Sequence, residues 1–288
     1  MRARARVLAV AVVLAAGACS GGGDADGGAD PGSPRGVLAA APARTIEAGS
    51  ARIAVVANLE GQRRGTFDGL GELDLGAERG RLEIDLAPLG LAGEGRTEVL
   101  FEGDVVYIEL GRRLPGLGDR PWVRIDLATL EEGQGDSIEA LRQLKANDPG
   151  AVLNLLRGVT GQVEVVGPED VRGAPTTRYR TTVDLAAARD SSPEAVRDDL
   201  DEVIRQLGTS RLPVEAWLDA EGRLRRLRYT FDLAELADDA PAKGGGEGRA
   251  TATLELYDFG VEVAFAEPAP SQVTDLGDLL GTGAGGGG

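Results

Sequence analysis

The residue types that perform most enzyme chemistry are scarce in this chain. Among its 288 residues there are one cysteine and no histidine, against 47 Asp and Glu and 31 Lys and Arg. Without histidine, neither a Ser-His-Asp triad nor a Cys-His pair can form, and a single cysteine excludes cysteine-rich zinc and iron–sulfur sites. We therefore expect a protein that is not an enzyme and that holds no metal or other cofactor.

The abundant acidic residues give no catalytic pattern either. They include adjacent pairs such as Glu131-Glu132, Asp198-Asp199 and Asp238-Asp239. Adjacent side chains on a strand or a helix do not face each other, so such a pair does not supply the two opposed carboxylates of a glycosidase. The formal net charge of −16 also argues against a nucleic-acid partner, because phosphate binding depends on clustered Lys and Arg.

The single cysteine follows a segment that has the features of an export signal. Three arginines within residues 1–6 precede an uncharged run, Val7 to Ala18, which is too short to span a bilayer. The run ends in Ala16-Gly17-Ala18-Cys19, which resembles a bacterial lipobox, where a peptidase cuts before the cysteine and the thiol receives a diacylglyceryl group. The sequence predicts a signal peptide over 1–18 and lipidation of Cys19; a plain secretory signal is the alternative.

Lipidation of Cys19 would determine the cellular location of the protein. We expect an exported protein held at the outer face of the cytoplasmic membrane, in the cell envelope, by the acyl chains on Cys19. A strongly anionic body is not attracted to anionic headgroups, so attachment is expected to depend on the acyl anchor alone. Residues 19–43 are rich in Gly, Asp, Pro and Ala and predict a flexible tether. Residues 276–288 end in a glycine run and predict a disordered tail.

Between residues 44 and 275, apolar and polar residues alternate over many short segments. Val123 and Ile125, for example, alternate with Arg124 and Asp126. Alternation of this kind is typical of antiparallel strands with one solvated face, and short glycine-containing turns join several of the segments into hairpins. The fold class predicted is α+β, mostly β, with one large curved antiparallel sheet of about ten or eleven strands.

Three helices are predicted to interrupt the strands. They begin at Asp136, at Asp148-Pro149 and at Ser192-Pro193, and the last two end at Gly158 and near Gly208. Each carries apolar residues at helical spacing on one side, so we expect all three to cover a face of the sheet. The interior is either a packed core or a hollow container for an apolar ligand, and alternation does not distinguish the two.

Two strand segments resemble a known family. Gly173-Ala-Pro-Thr-Thr-Arg-Tyr179 and Leu212-Pro-Val-Glu-Ala-Trp-Leu-Asp-Ala-Glu-Gly-Arg-Leu-Arg225, together with the lipobox and residues 120–126, resemble the LppX/LprAFG family of actinobacterial envelope lipoproteins. The resemblance covers residues 45–275 and departs from the family at Arg178, where relatives often carry histidine. It implies a half-open, unclosed antiparallel β-barrel backed by helices, similar to the lipoprotein carriers LolA and LolB.

The resemblance also implies a function. Relatives enclose a hydrophobic cavity, so the chain is expected to bind a lipid or glycolipid and carry it across the cell envelope. The alternative is a scaffold or sensor lipoprotein that uses the same fold to bind protein partners, which the sequence does not identify. Candidate cavity residues come from the apolar strand faces and the second helix: Ile53, Val55, Leu82, Ile84, Val106, Ile108, Val123, Ile125, Val152, Leu155 and Leu156.

Overall fold

A computed structural model describes residues 30–61, 65–85, 96–110, 120–126, 129, 153–194, 197–232 and 248–283. Several predicted features lie outside these residues: the signal peptide, Cys19, Val152, the helix beginning at Asp136 and the start of the helix beginning at Asp148. The strands are β1 Ser50–Gly61, β2 Gly65–Asp74, β3 Arg79–Ile84, β4 Thr97–Glu102, β5 Val105–Glu109, β6 Trp122–Asp126, β7 Glu164–Val171, β8 Ala174–Asp184, β9 Arg211–Leu218, β10 Leu224–Asp232, β11 Gly248–Tyr257 and β12 Val273–Asp275.

All twelve strands form one sheet, in the order β12-β6-β5-β4-β3-β2-β1-β11-β10-β9-β8-β7. Strands β1 to β6 form one meander and β7 to β11 a second, and the antiparallel β1–β11 pair joins them in the middle. The two edge strands, β7 and β12, do not pair with each other among the described strands, so the curved sheet stays open. The predicted half-open antiparallel sheet is confirmed, except that β12 runs parallel to β6.

Sequence alternation explains why the strands form with one apolar face. Ile53 of β1 pairs with Leu256 of β11, and Val123 of β6 pairs with Ile108 of β5, so the apolar positions of successive strands meet in register. The tight turns occur where glycine was predicted to be needed. Gly103 between β4 and β5 has φ +55° and Gly222 between β9 and β10 has φ +76°, a backbone region that strongly favours glycine.

The prediction of a flexible tether up to residue 43 is wrong for its last ten positions. Pro34–Ile46 forms helix α1, whose N-cap Ser33 accepts a hydrogen bond from the Gly36 N–H. Leu38 and Ala41 have no exposed surface, and the Thr45 hydroxyl accepts a hydrogen bond of 2.9 Å from Leu224 N in β10. The composition looked like low complexity, but a short Ala- and Leu-containing run is enough for a helix once tertiary packing buries it.

The prediction of a disordered tail from residue 276 is also wrong where the structure describes it. Leu276–Gly283 forms helix α4, directly after β12. Leu276 and Leu279 pack against apolar residues of the β3–β6 side of the sheet. Two well-placed leucines therefore anchor a segment whose glycine content suggested disorder.

The predicted second and third helices are found in part. A 3-10 helix, Leu155–Gly158, ends at the predicted glycine, and a Cβ at Gly158 would lie 2.3 Å from the Asp184 carbonyl oxygen. Helix α3, Arg197–Leu207, lies within the predicted third helix. Helix α2, Leu185–Asp190, was not predicted, because Leu185 continues the alternation of β8; Asp184 accepts a hydrogen bond from Ala187 N and caps it.

The segment between β11 and β12 crosses the sheet. Val261 O accepts a hydrogen bond from the Ser50 hydroxyl, Ala264 N donates to Glu72, and Phe265 lies 5.8 Å from the Arg79 guanidinium. These contacts are to β1, β2 and β3 in turn, on the face that points away from the helices. The chain thus leaves the middle of the sheet and reaches β6 at its edge.

Candidate functional site

The sheet has an inner face, which packs on the helices, and an outer face. Side chains on the inner face form two apolar clusters. The helix-backed cluster lies under α1, α2, α3 and the 3-10 helix, and includes Ile53, Leu155 and Leu227. The edge cluster lies on β3 to β6 and contains Ile84, Val99, Val106, Ile108, Val123 and Ile125.

The predicted cavity residues divide between these clusters. Strand register places all eight of the predicted strand positions on the inner face. Ile53 pairs with Gly71, which pairs with Leu82, and Val55 pairs with Gly69, which pairs with Ile84. Val106, Ile108, Val123 and Ile125 follow on β5 and β6. Ile53 and Leu156 have no exposed surface and Leu155 has 3%, so these three are packed core. Whether any member of the set contacts a ligand stays a prediction.

The inner face is less completely covered between the two clusters. One row of the register runs Tyr229–Ala252–Ala57–Phe67 across β10, β11, β1 and β2, and the next runs Phe231–Ala250–Leu59. All of these residues except Ala250 are half-buried. Three strand spacings separate Tyr229 from Phe67, which is about 14 Å.

We call this surface the trough. It has a floor of alanines and walls of large side chains. The alanines are Ala57, Ala250 and Ala252, and the large side chains are those of Leu59, Phe67, Tyr229 and Phe231. Tyr229 and Phe231 pack against the helix-backed cluster on one side, and Phe67 packs against the edge cluster on the other. None of these seven residues is among the predicted cavity residues, and the three alanines give only a weak apolar signal. Only the alternation with Val55 could have indicated Ala57.

Tyr229 is the polar group at the trough wall. Its ring stacks on Phe231 with a centroid distance of 6.5 Å and an interplanar angle of 19°. Burial raises the pKa of its hydroxyl to about 12, so the group is neutral and can donate a hydrogen bond at any physiological pH.

Charge separates the two faces completely. In β1 to β6 and β8 to β11, the described positions that the register places on the inner face carry no charged residue, whereas Arg, Asp and Glu are frequent on the outer face. A surface without charge, flanked by aromatic side chains, suits the hydrocarbon part of a ligand and is unsuited to an anionic group.

The outer face is organised around Trp217 of β9. Its indole has no exposed surface, because the guanidinium groups of Arg178, Arg226 and Arg228 lie 5.1, 5.1 and 5.4 Å from the ring centroid. Trp217 alternates with Ala216 and pairs with Arg226 of β10 and Arg178 of β8, which places it on the outer face among charged neighbours. Cation–π contacts of this kind favour a covered indole.

Glutamates hold these arginines in place. Glu215 lies 2.6 Å from Arg178, 3.2 Å from Arg180 and 3.7 Å from Arg228. Burial alone would raise the pKa of Glu215, but hydrogen bonds from Arg178 and Arg180 outweigh that effect and lower it. We call Trp217, these arginines and their glutamate partners the outer lattice.

A cleft of about 250 Å³ opens on the outer face beside Arg52, Glu72 and Arg81. Arg52 is 3.6 Å from Glu72, and Arg81 is 3.2 Å from Glu83, so its walls are charged and paired. Such a lining does not suit an apolar ligand, which makes the trough the stronger candidate.

The described residues also limit other kinds of site. No group of three or more potential Cys, Asp or Glu metal ligands is found among them. In the same part of the chain, no helix is long and apolar enough to cross a membrane.

Comparison with known proteins identifies one related sequence and several similar solved structures. No protein-family model matches the chain. A Streptomyces griseus protein, an uncharacterized 31.2 kDa protein in the rplA-rplJ intergenic region, is 27% identical over 195 residues, which are 65% of this chain and 59% of the relative. The chain thus spans less than two thirds of that relative's length.

Two solved structures are similar to the chain. LprF from Mycobacterium bovis is 17% identical with a TM-score of 0.43, over 82% of this chain and 96% of LprF. LppX from Mycobacterium tuberculosis has the same identity and TM-score, over 80% of this chain and 100% of LppX.

Proposed function

We propose that this chain is a membrane-anchored envelope lipoprotein of the LppX/LprAFG type, and that it binds a lipid or glycolipid in the trough and carries it across the cell envelope. The observation that supports the proposal is the charge-free inner face, whose centre keeps half-buried aromatic and aliphatic side chains over an alanine floor. Apolar surface of this kind gains about 25 cal/mol per Å² when an acyl chain covers it.

The two clusters define where a ligand can bind. Ile53, Leu155 and Leu156 are packed against helices, and a packed core has no room for an acyl chain. Val55 is half-buried and is the inner-face position next to Ala57 on β1, and Leu82 is half-buried on the inner face of β3. We therefore move the proposed contact from the fully buried residues of the predicted set to Val55, Leu82 and the trough itself.

The anchor supports the same function. Lipidation of Cys19 would place the acyl chains eleven positions before Asp30, the first described residue.

A second candidate function, binding of a protein partner, has one observation in its favour. Val165 and Val166 on the edge strand β7 are 50% and 39% exposed, and an unpaired edge can accept a further strand. Glu164, Pro168 and Glu169 on the same strand oppose such pairing. Lipid binding is the preferred proposal because it accounts for the absence of charged residues from the whole inner face of the sheet.

Filling the trough tests the proposal. Delipidated protein incubated with envelope lipid extract should retain acyl chains that are quantified by mass spectrometry. Ala252→Leu should reduce the retained lipid at least tenfold, because the leucine occupies the floor. Thr253→Leu is the matched control: it is the next residue of β11 and points to the outer face, so it should load like the wild type.

Stability measurements test whether the alanine floor of the trough has room for a larger side chain. In a packed core, an added side chain costs about 1–3 kcal/mol of unfolding free energy. Ala216, which is 1% exposed in the helix-backed cluster, should show that cost as Ala216→Leu, whereas Ala252→Leu should cost less. Wild-type protein that never retains lipid, or an Ala252→Leu variant that loads normally, would contradict the proposal.

A further inference from the structure

We infer that the cleft on the outer face binds a neutral saccharide, with room for one sugar ring whose hydroxyl groups bridge the arginines and glutamates of the cleft wall. The sheet separates this cleft from the trough, so the saccharide is not the headgroup of a lipid held on the inner face. Such binding goes beyond the proposed function and does not depend on it.

The cleft is built on paired strands that hold its side chains in position. The side chains of its wall come from two neighbouring rows of the outer face: Tyr257, Arg52, Glu72 and Arg81 in the first row, and Leu70 and Glu83 in the second. The Glu72 carboxylate also accepts a hydrogen bond of 3.3 Å from Ala264 N, in the segment between β11 and β12. A site on rigid strands is preorganised, so little ordering is needed when a ligand binds.

The wall places hydrogen-bond donors and acceptors side by side. Arg52 lies 3.6 Å from Glu72, and Arg81 lies 3.2 Å from Glu83. A guanidinium group only donates and a carboxylate only accepts, whereas a hydroxyl does both. Neighbouring hydroxyls of a sugar can therefore accept from an arginine and donate to the adjacent glutamate at the same time.

The same pairing favours a ligand without charge. The wall contains two arginines and two glutamates, so its formal charges cancel. A charged ligand of either sign meets no net attraction there and competes with an ion pair that is already formed. A neutral ligand with several hydroxyls bonds to both members of a pair and leaves the pair intact.

An exposed leucine gives the cleft an apolar component. Leu70 is 45% exposed and is one of three exposed large hydrophobic residues in the described part of the chain, with Val165 and Val166 of β7 as the others. A sugar ring combines a rim of hydroxyls with an apolar C–H face, which can cover Leu70 while the rim contacts the charged wall. The volume of about 250 Å³ is below the roughly 300–1,000 Å³ of pockets for drug-sized ligands, which favours a single ring.

Three neutral methyl glycosides test the inference. The methyl α-glycosides of D-glucose, D-mannose and D-galactose are titrated against the full chain, and binding is followed by saturation-transfer NMR. At least one should bind with a dissociation constant on the order of 1 mM, and added salt should change that constant by less than about twofold, because the ligand carries no charge. Arg81→Leu and Arg52→Leu, on different strands, should each weaken binding at least about fivefold, because each removes a charged donor.

Arg124→Leu is the matched control. Arg124 continues the same register row on β6 and forms ion pairs of 3.3 and 3.0 Å, but it does not line the cleft. This variant should bind the glycosides within about twofold of the wild type. Ala252→Leu, which fills the trough on the opposite face, should also bind them normally.

Glycine, a zwitterion, is the competing probe. Wild-type protein that binds none of the three glycosides, or that binds glycine more tightly than any of them, would overturn the inference. Arg81→Leu and Arg52→Leu variants that both bind glycosides like the wild type would overturn it as well. Lipid loading of the trough is measured separately and should be unchanged in these two variants, so either proposal can fail without the other.

Discussion

The two faces of the sheet bury their side chains by opposite means. On the inner face, helices cover aliphatic residues, and where helices do not reach, the trough stays partly exposed. On the outer face, no helix is needed to bury Trp217, because three guanidinium groups cover the indole and glutamates fix the guanidinium groups.

The difference shows how one sheet can combine rigidity with a binding surface. Cation–π contacts and partly buried ion pairs connect β7 to β11 through their side chains on the outer side. The outer lattice therefore braces the strands whose inner side carries Tyr229 and Phe231. We expect substitutions on the outer face to change stability, and substitutions in the trough to change lipid binding.

The largest expected effect is that of Trp217→Ala. Removing a fully buried indole leaves a cavity and three arginines without their aromatic surface, so unfolding free energy should fall by about 3–5 kcal/mol. Denaturant titration measures the change, and lipid loading should stay normal where the variant remains folded. Trp122→Ala, which removes a half-buried indole from β6, should cost less than half as much; equal costs would refute the central role of the outer lattice.

The next effect concerns α1, which forms where the sequence predicted a tether. Leu38→Ala in α1 should lower unfolding free energy by about 2–4 kcal/mol, because its side chain has no exposed surface in the helix-backed cluster. Val37→Ala, beside it but only half-buried, should cost about 1 kcal/mol. A negligible effect of Leu38→Ala would mean that residues 34–43 behave as the tether first predicted.

The smallest effect is a pH dependence that belongs to the outer face. The pKa of Glu215 is lowered in the folded state, so the native protein binds fewer protons there than the unfolded chain. The stabilisation is therefore present above the ordinary glutamate pKa of about 4.3 and is lost as the pH falls through the lowered folded value.

Glu215→Gln isolates this contribution. It should lower unfolding free energy by about 1–2 kcal/mol at pH 7, where wild-type Glu215 is charged, and the difference should shrink in acid. Glu164→Gln is the control, since Glu164 pairs with Arg180 but is 58% exposed, and exposed pairs contribute about 0–1 kcal/mol. A Glu215→Gln effect that is constant with pH would exclude the charge as its cause.

The sequence predicted the strands well because successive side chains of a strand point to opposite faces of the sheet. This period of two is visible in the sequence, and tertiary contacts only reinforce it. Val123, Ile125, Val106 and Ile108 were assigned to one face from alternation, and the register confirms it. The Gly103 and Gly222 turns follow from backbone geometry, which is local. The segments that failed are those in which the composition was ambiguous, such as residues 34–43.

The candidate site was predicted less well, for a physical reason. Apolar strength singled out Ile53, Leu155 and Leu156, and strongly apolar residues are the ones that helices cover most completely. The trough depends on small residues, Ala57 and Ala252, aligned with Tyr229 from strands far apart in the chain. Alanine on its own predicts neither a cavity nor a core.

By itself, the sequence determined the alternating strands, the split between a charged and an uncharged face, and the absence of histidine chemistry, because these depend on residue type and local spacing. Only the tertiary structure decided which apolar residues are sealed and which stay half-buried. Those outcomes depend on the β1–β11 pairing and on where α1, α2 and α3 pack, and both are contacts between residues distant in the chain.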